Sequence, residues 1–416
     1  MPPLAGLKVV ELAHIMAGPI CGLMLADLGA DVIKVEKVPG GDDARRFTPP
    51  AIDGESAAFL IVNRHKRGVA VDLKREAGRE VLGRLLAGAD VVIENFRRGT
   101  MERLGLGYEQ LCERNPRLIA CEVSGFGRTG PYADRSGFDL VAQGMSGLMS
   151  LTGEGPGRPP VKVGVPVTDI TAGLLATMGV LAALVERTKT GKGQRVDTSL
   201  FEAGITHTYW QSAMSLATGV SPGPLGTAHP LSAPYQAFRT KDGWLTVGAA
   251  NQANWLRLLA VLDASALAED PRFHDNASRL AHVSALAEAL SPRFSSRTTA
   301  EWLVRLEAAG VPAGPVLDVL GMHADPQTRA REMIVEVSHS RLGVVKALGF
   351  PVKLSASPAE TGARGAPVYG EHTREVLAEL GYDETDVARL VADGAVVCAD
   401  MGTGVRSCLS TFPEKG

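Results

Sequence analysis

Cysteine is scarce in this chain: five in 416 residues, Cys21, Cys112, Cys121, Cys398 and Cys408, with no Cys-x-x-Cys pair. An odd, scattered set supplies neither a disulfide framework nor a zinc site, and a reducing cytoplasm suits it. A surplus of basic charge is also missing. Lys and Arg number 43 against 46 Asp and Glu, giving a net charge of -3, so no nucleic-acid footprint and no charged interaction tail is expected. The first residues, MPPLAGLKVVEL, lack a basic segment followed by an apolar core, and no apolar run is read as reaching the ~18 residues of a membrane span. Neither export nor a membrane anchor is expected. None of the nine histidines falls in a His-x-His or His-Glu-x-x-His pattern, and no metal is expected. What remains is 45% hydrophobic content in a chain long enough for two cores, or for one large domain carrying a smaller one.

In chain order, the first part alternates short apolar strands with helical segments. Leu7 to Leu12 and Asp31 to Glu36 read as strands, with a helix from Ile20 to Leu28 between them that stops at Gly29. That is a βαβ unit and implies a parallel sheet. A helix around Glu76 to Leu86 and strands at Asp90 to Glu94 and Leu118 to Val123 continue the rhythm. A doubly wound, Rossmann-like α/β sheet is expected. Glu36 ends the second strand where an NAD enzyme places its ribose-binding acid, but the first turn, His14-Ile15-Met16-Ala17-Gly18-Pro19, has one glycine where that fingerprint needs three. NAD is disfavoured.

From Thr218 to Pro234 the chain is rich in Gly, Pro and Ser and reads as a linker. Beyond it, Tyr235 to Thr240 and Trp244 to Gly248 read as strands joined through Asp242-Gly243, followed by helices around Trp255 to Leu262, His282 to Leu290 and Thr299 to Ala309. The expected organisation is therefore a large domain over 1–220, a small mixed α/β domain with its linker over 221–326, a return to the large domain over 327–393, and a loose tail over 394–416. No internal repeat or low-complexity tract is present.

The stretch Val163 to Gly193, VGVPVTDITAGLLATMGVLAALVERTKTGKG, draws most attention. Leu174, Leu175, Met178, Leu181, Leu184 and Val185 recur at helical spacing, and Asp169 stands where that helix begins. Two readings are open and compatible. Asp169 can cap the helix, accepting a free N–H of the first turn, or be a carboxylate kept ionised beside a helix N-terminus and used as a nucleophile.

Taken with AGPICGLMLADLGADVIKVE, GDDAR, NRHKRGVAVDLK, ADVVIENFRRGTMERLGLGYEQL, SGFGRTGPYADRSGFDLVAQGMSGL, VPVTDITAG, KTGKGQRVDTSL, GVPAGPV and GEHTREVLAELG, in that order along the chain, the sequence resembles the family III CoA-transferases. The resemblance implies a Rossmann-like large domain made from both chain ends, a small domain between them, and two subunits threaded through each other as an interlocked dimer. It also implies that Asp169 is the nucleophile, and that a coenzyme A thioester is a substrate rather than a permanently bound cofactor.

By the same match, CoA contacts are expected from Ile15, Lys37, Val71, Lys74, Asn95, Phe96 and Arg103, since a polyanionic ligand calls for cations and free N–H groups. Read without the family, Lys37, Lys74 and Arg103 would pass as solvated charges and Asn95 as a turn residue. Met16, Phe138 and Asp139 are the expected acyl-site residues, and His14, Arg46 and His229 are possible contacts for an acidic acyl group. Asp139 also reads as a satisfied helix or turn residue. The related oxalate enzymes have a glutamine at the place of Met16 and consecutive glycines where this chain has Pro222-Gly223-Pro224-Leu225-Gly226. Both departures weigh against oxalate. Gly226-Thr227-Ala228-His229-Pro230, followed by Pro234-Tyr235-Gln236-Ala237-Phe238, resembles family members acting on succinyl-CoA and dicarboxylates such as glutarate, and that resemblance implies a short dicarboxylate as one partner. The competing readings are an isomerase like alpha-methylacyl-CoA racemase and a catalytically silent CoA-binding protein. The racemases carry Gly-His-Asp where this chain has Gly137-Phe138-Asp139, and phenylalanine cannot carry a proton.

Overall fold

The computed structural model describes residues 1–400 apart from 360, 361 and 363. The chain forms two compact units. The first comprises Met1–Ser146, Gly164–Thr208 and the stretch from Gln327; the second comprises Gly147–Val163 and Tyr209–Pro326. The second unit thus begins at Tyr209 rather than at 221 and also takes in 147–163, so the Gly- and Pro-rich stretch from Thr218 lies inside it instead of marking its edge.

The first unit is built on one sheet. Its strands are β1 (Lys8–Glu11), β2 (Asp31–Lys37), β3 (Arg67–Val71), β4 (Val91–Glu94), β5 (Ile119–Ser124) and β6 (Arg195–Ser199). They lie side by side in the order β3-β2-β1-β4-β5-β6, all parallel. This is the doubly wound order, in which the chain goes outward from β1 on one side, returns, and goes outward from β4 on the other. Alternate residues enter separate cores. Val10 packs with Ile33, Val35 and Val69 on one face, whereas Val9 packs with Val32, Val91 and Ile93 on the other. Burial on both faces is what a parallel sheet demands.

One core is closed by α1 (Ala17–Asp27) and α4 (Val167–Thr190), the other by α2 (Glu76–Ala87), α10 (Thr373–Glu379) and α11 (Glu384–Ala392); α3 (Asp139–Met145) and α5 (Leu200–Thr206) lie beside α4. By length and composition α4 could cross a membrane, which the sequence reading of apolar runs did not foresee. In the fold it is a core helix: Ala172, Gly173, Ala176, Val180 and Ala183 are buried, while Leu174, Met178 and Val185, which carry much of the sequence periodicity, stay 45%, 63% and 59% exposed. Small residues on the inner face let α4 approach α1 closely. A Cβ added at Gly173 would lie 2.6 Å from the Ala17 carbonyl oxygen and 2.7 Å from the Ile20 Cβ. At its far end α4 stops at Gly191, in the left-handed region at φ 70°.

A last strand, β12 (Val396–Val397), pairs antiparallel with β3. The tail expected to be loose from 394 is therefore ordered at those residues; 401–416 lie outside the described residues.

The second unit contains α6 (Tyr209–Thr218), then the antiparallel β7 (Tyr235–Arg239), β8 (Trp244–Gly248) and β9 (Ala313–Pro315). Helices α7 (Gln252–Val261), α8 (Val283–Phe294) and α9 (Thr299–Ala308) pack Trp255, Leu258, Leu290, Phe294 and Trp302 against Phe238 and Leu245 of that sheet. Two further hairpins, Ala51–Ile52 with Glu55–Ser56 and β10 (Ile334–His339) with β11 (Gly343–Leu348), belong to the first unit.

Candidate active site

Strand order alone points to a place on the first unit. Where β1 and β4 lie adjacent but their following connections diverge, a crevice opens beyond the C-terminal ends of the strands. A cleft of about 450 Å³ lies there, lined by residues following β1 (His14, Ile15, Met16), β4 (Asn95, Phe96, Arg97, Arg98) and β5 (Gly125), together with Arg135, Phe138 and Asp169.

The turn after β1 is held from both sides. The His14 N–H donates to Asn95 Oδ1 at 2.9 Å, and Asn95 Nδ2 donates to the His14 carbonyl at 2.8 Å. The Ile15 N–H donates to the Asp42 carboxylate at 3.0 and 3.2 Å. Phe96 continues the turn after β4, its N–H donating to Glu94. Burial drives the Glu94 carboxyl up to about 7, against the opposing charge of Arg128. Burial, helped by Lys34, lowers the pKa of His14, so the imidazole is neutral at pH 7 and is not the cation an acidic acyl group would call for.

Asp169 does not cap its helix. Pro166 occupies the cap position, and Asp169 is the third residue of α4. The first turn is fixed from α3, where Asp139 Oδ1 accepts the Thr168 N–H at 3.0 Å and the Thr168 hydroxyl at 2.8 Å. Asp139 is further held by Gln143 Nε2 at 2.7 Å, so it is a satisfied helix residue rather than part of the cleft wall. Burial first, and the charge of Asp139 second, raise the Asp169 carboxyl to about 6.

None of the expected CoA cations is itself in the cleft lining, although Lys37 and Arg46 pair with Asp43, which is. Lys37 is paired with Asp43 at 2.7 Å, Lys74 is exposed, and Arg103 donates to its neighbour Thr100 at 2.9 Å. Val71 is fully buried in the core and in register with Val396, which covers its backbone edge. Arg46 is 62% exposed and paired with Asp43. His229 belongs to the second unit, where it accepts the Leu231 N–H at 3.1 Å and meets Tyr235 edge-on. The cations that do line the cleft are Arg97, Arg98 and Arg135. Sequence reasoning passed over them, although Arg97 and Arg98 directly follow the Asn95-Phe96 pair it had singled out.

The switch-point cleft of this doubly wound α/β unit is thus lined by the desolvated carboxylate of Asp169, by Asp43 and Asp134, and by the guanidiniums of Arg97, Arg98 and Arg135. The model of CoA-transferase family III matches residues 4–373, and the chain belongs to that family: it is a family III CoA-transferase. It is 42% identical over 385 residues to a succinate–glutarate CoA-transferase of Agrobacterium fabrum, covering 91% of this chain and 96% of that protein. To an acetyl-CoA:oxalate CoA-transferase of Acetobacter aceti it is 39% identical over 383 residues, covering 92% and 97%. Among solved structures, a CAIB/BAIF family protein from Brucella suis superimposes with a TM-score of 0.82 at 44% identity, over 91% of this chain and 99% of that one.

Proposed function

We propose that the enzyme moves CoA from an acyl-CoA donor to a short dicarboxylate, with Asp169 as the nucleophile. The observation that carries this reading is a carboxylate lining the cleft, raised to about 6 and so still ionised at neutral pH, yet less well solvated than an ordinary aspartate.

Asp169 attacks the thioester carbonyl and expels CoA thiolate, leaving a mixed anhydride. The thiolate attacks the aspartyl carbonyl, releasing the donor acid and leaving CoA on the enzyme as an aspartyl thioester. The acceptor carboxylate attacks that thioester, again expelling thiolate and forming a second anhydride. Attack of the thiolate on its acyl carbonyl gives the new acyl-CoA and frees Asp169. No step consumes water or a net proton. The protein has chiefly to align the reactants and keep water out.

Arg97, Arg98 and Arg135 suit phosphate or carboxylate groups by charge and fork geometry. Most of the relatives' names, such as succinate–glutarate CoA-transferase, support an acid of four or five carbons, while the oxalate enzyme supports a two-carbon one. Lining by Ile15, Met16, Asn95, Phe96 and Phe138 supports their assignment to the CoA and acyl sites. Lys37, Lys74 and Arg103 would act at longer range. The apolar residues that α4 leaves exposed support a homodimer in which a second copy covers them, and an interlocked pair is the form we infer from the family. Asp169→Asn is expected to lower transfer by about 10³-fold or more while acyl-CoA still binds. Transfer at the wild-type rate would refute the assignment.

A further inference from the structure

The motif Gly41-Asp42-Asp43-Ala44-Arg45 is used by no step above, yet its first acid is among the most constrained side chains of the unit. Asp42 is fully buried. Its carboxylate accepts the Ile15 N–H at 3.0 and 3.2 Å and the Ala44 N–H at 2.9 Å, with Lys34 Nζ at 2.8 Å. Lys34 also donates to Glu11 at 2.9 Å, and Lys66 lies 2.8 Å from the other Glu11 oxygen. Two carboxylates and two ammoniums, all with no exposed surface, balance one another inside the protein. Burial would raise the Asp42 carboxyl, but Lys34 overcomes it and holds it at about 2. A buried set of charges is tolerable only when every member is partnered, and loss of one strands another.

The group it grips is strained. Ile15 has φ 68°, in the left-handed region, which a β-branched residue adopts only when its surroundings hold it there. Ile15 also lines the cleft, between His14, which is clamped by Asn95, and the start of α1. Relaxing Ile15 to an ordinary φ near -60° would turn the preceding peptide by about 130° relative to α1. The pairing of His14 with Asn95 and the entry into α1 could not both survive that turn.

We propose that Asp42 is a positioning residue of the active site: its buried carboxylate holds Ile15 in the left-handed conformation and so sets the backbone of residues 15–17 against which the thioester is aligned. The role assumes that the cleft is the transfer site.

The test compares wild type, Asp42→Ala and Asp42→Ala/Ile15→Gly in steady-state transfer from succinyl-CoA to glutarate, with the crystal structure of each. Asp42→Ala is expected to lower kcat by about 10²-fold and to raise the KM for succinyl-CoA by less than about 5-fold, with residue 15 returned to negative φ. Glycine adopts positive φ unaided, so Ile15→Gly in that background should recover kcat at least about 10-fold. A merely structural Asp42 would lower the melting temperature without that recovery. Wild-type kcat in Asp42→Ala, an unchanged φ at residue 15, or no rescue by glycine would each overturn the proposal. Should Asp42→Ala fail to fold with Lys34 stranded, Asp42→Ala/Lys34→Met removes one charge of each sign and is read by the same outcomes. If wild type itself moved no CoA, the proposed function would fall, and the φ of residue 15 would still decide what Asp42 does.

Discussion

A carboxylate used as a nucleophile must be ionised and yet weakly solvated, and Asp169 is raised to about 6 by burial and by the charge of Asp139. As the proposed nucleophile it would react in its deprotonated form, so kcat should rise with pH through about 6 and level off above it. Asp139→Asn removes the neighbouring charge while leaving an oxygen to accept from Thr168, and should move that acid limb to lower pH. An unmoved limb would mean that Asp139 acts by contact alone. Stability follows the same shift with its sign worked through. A carboxyl whose folded pKa lies above its unfolded value near 3.8 destabilises the fold when ionised, fully above about pH 6 and not at all below about pH 4. Asp169→Asn should therefore stabilise the protein by about 1–3 kcal/mol at pH 8, a gain that fades as pH falls from 6 to 4 in denaturant titrations. At this scale Ile15, Asn95 and Phe96, which line the cleft, were legible only through the family resemblance, whereas apolar runs by themselves located just the strand ends that precede them. It was silent on Glu11, Lys34, Asp42 and Lys66, because charged residues are ordinarily read as solvated and pair in this fold only through contacts distant in sequence.

Helix α4 connects the residue to the scaffold. Gly173 lies one turn beyond Asp169 and permits the close approach to Ala17 and Ile20 at the start of α1, the same turn that begins at His14. Gly173→Ala gains helix propensity of about 1 kcal/mol but forces the two helices apart at a cost of about 1–3 kcal/mol. The expected net result is a lower melting temperature and a kcat reduced more than KM is raised; a variant equal to wild type in both would show that the spacing of α1 and α4 is not critical. The helix itself was plain in the sequence, but its inner face was not. Periodicity highlights large apolar residues, whereas tight packing selected the small ones. Strand β3 was missed because Arg67 opens it and basic residues precede it, and β6, Arg-Val-Asp-Thr-Ser, because its polar composition conceals an edge strand.

For the whole molecule, a parallel, doubly wound sheet follows from the alternation of strands and helices, whereas its strand order and the boundary at Tyr209 follow from long-range packing that no local pattern records. The exposed Leu174, Met178 and Val185 are expected to be covered by a second copy. Light scattering should therefore give twice the chain mass of 43.8 kDa, and a monomer at micromolar concentration would exclude the dimer. The most direct test of the chemistry is intact-protein mass spectrometry after mixing with succinyl-CoA and quenching, followed by addition of single carboxylic acids. Covalent Asp169 catalysis requires a CoA adduct on Asp169, absent from Asp169→Asn and discharged by the true acceptor as its CoA ester. Binding of succinyl-CoA with full turnover and no adduct on Asp169, under quench conditions that preserve an aspartyl thioester, would contradict it.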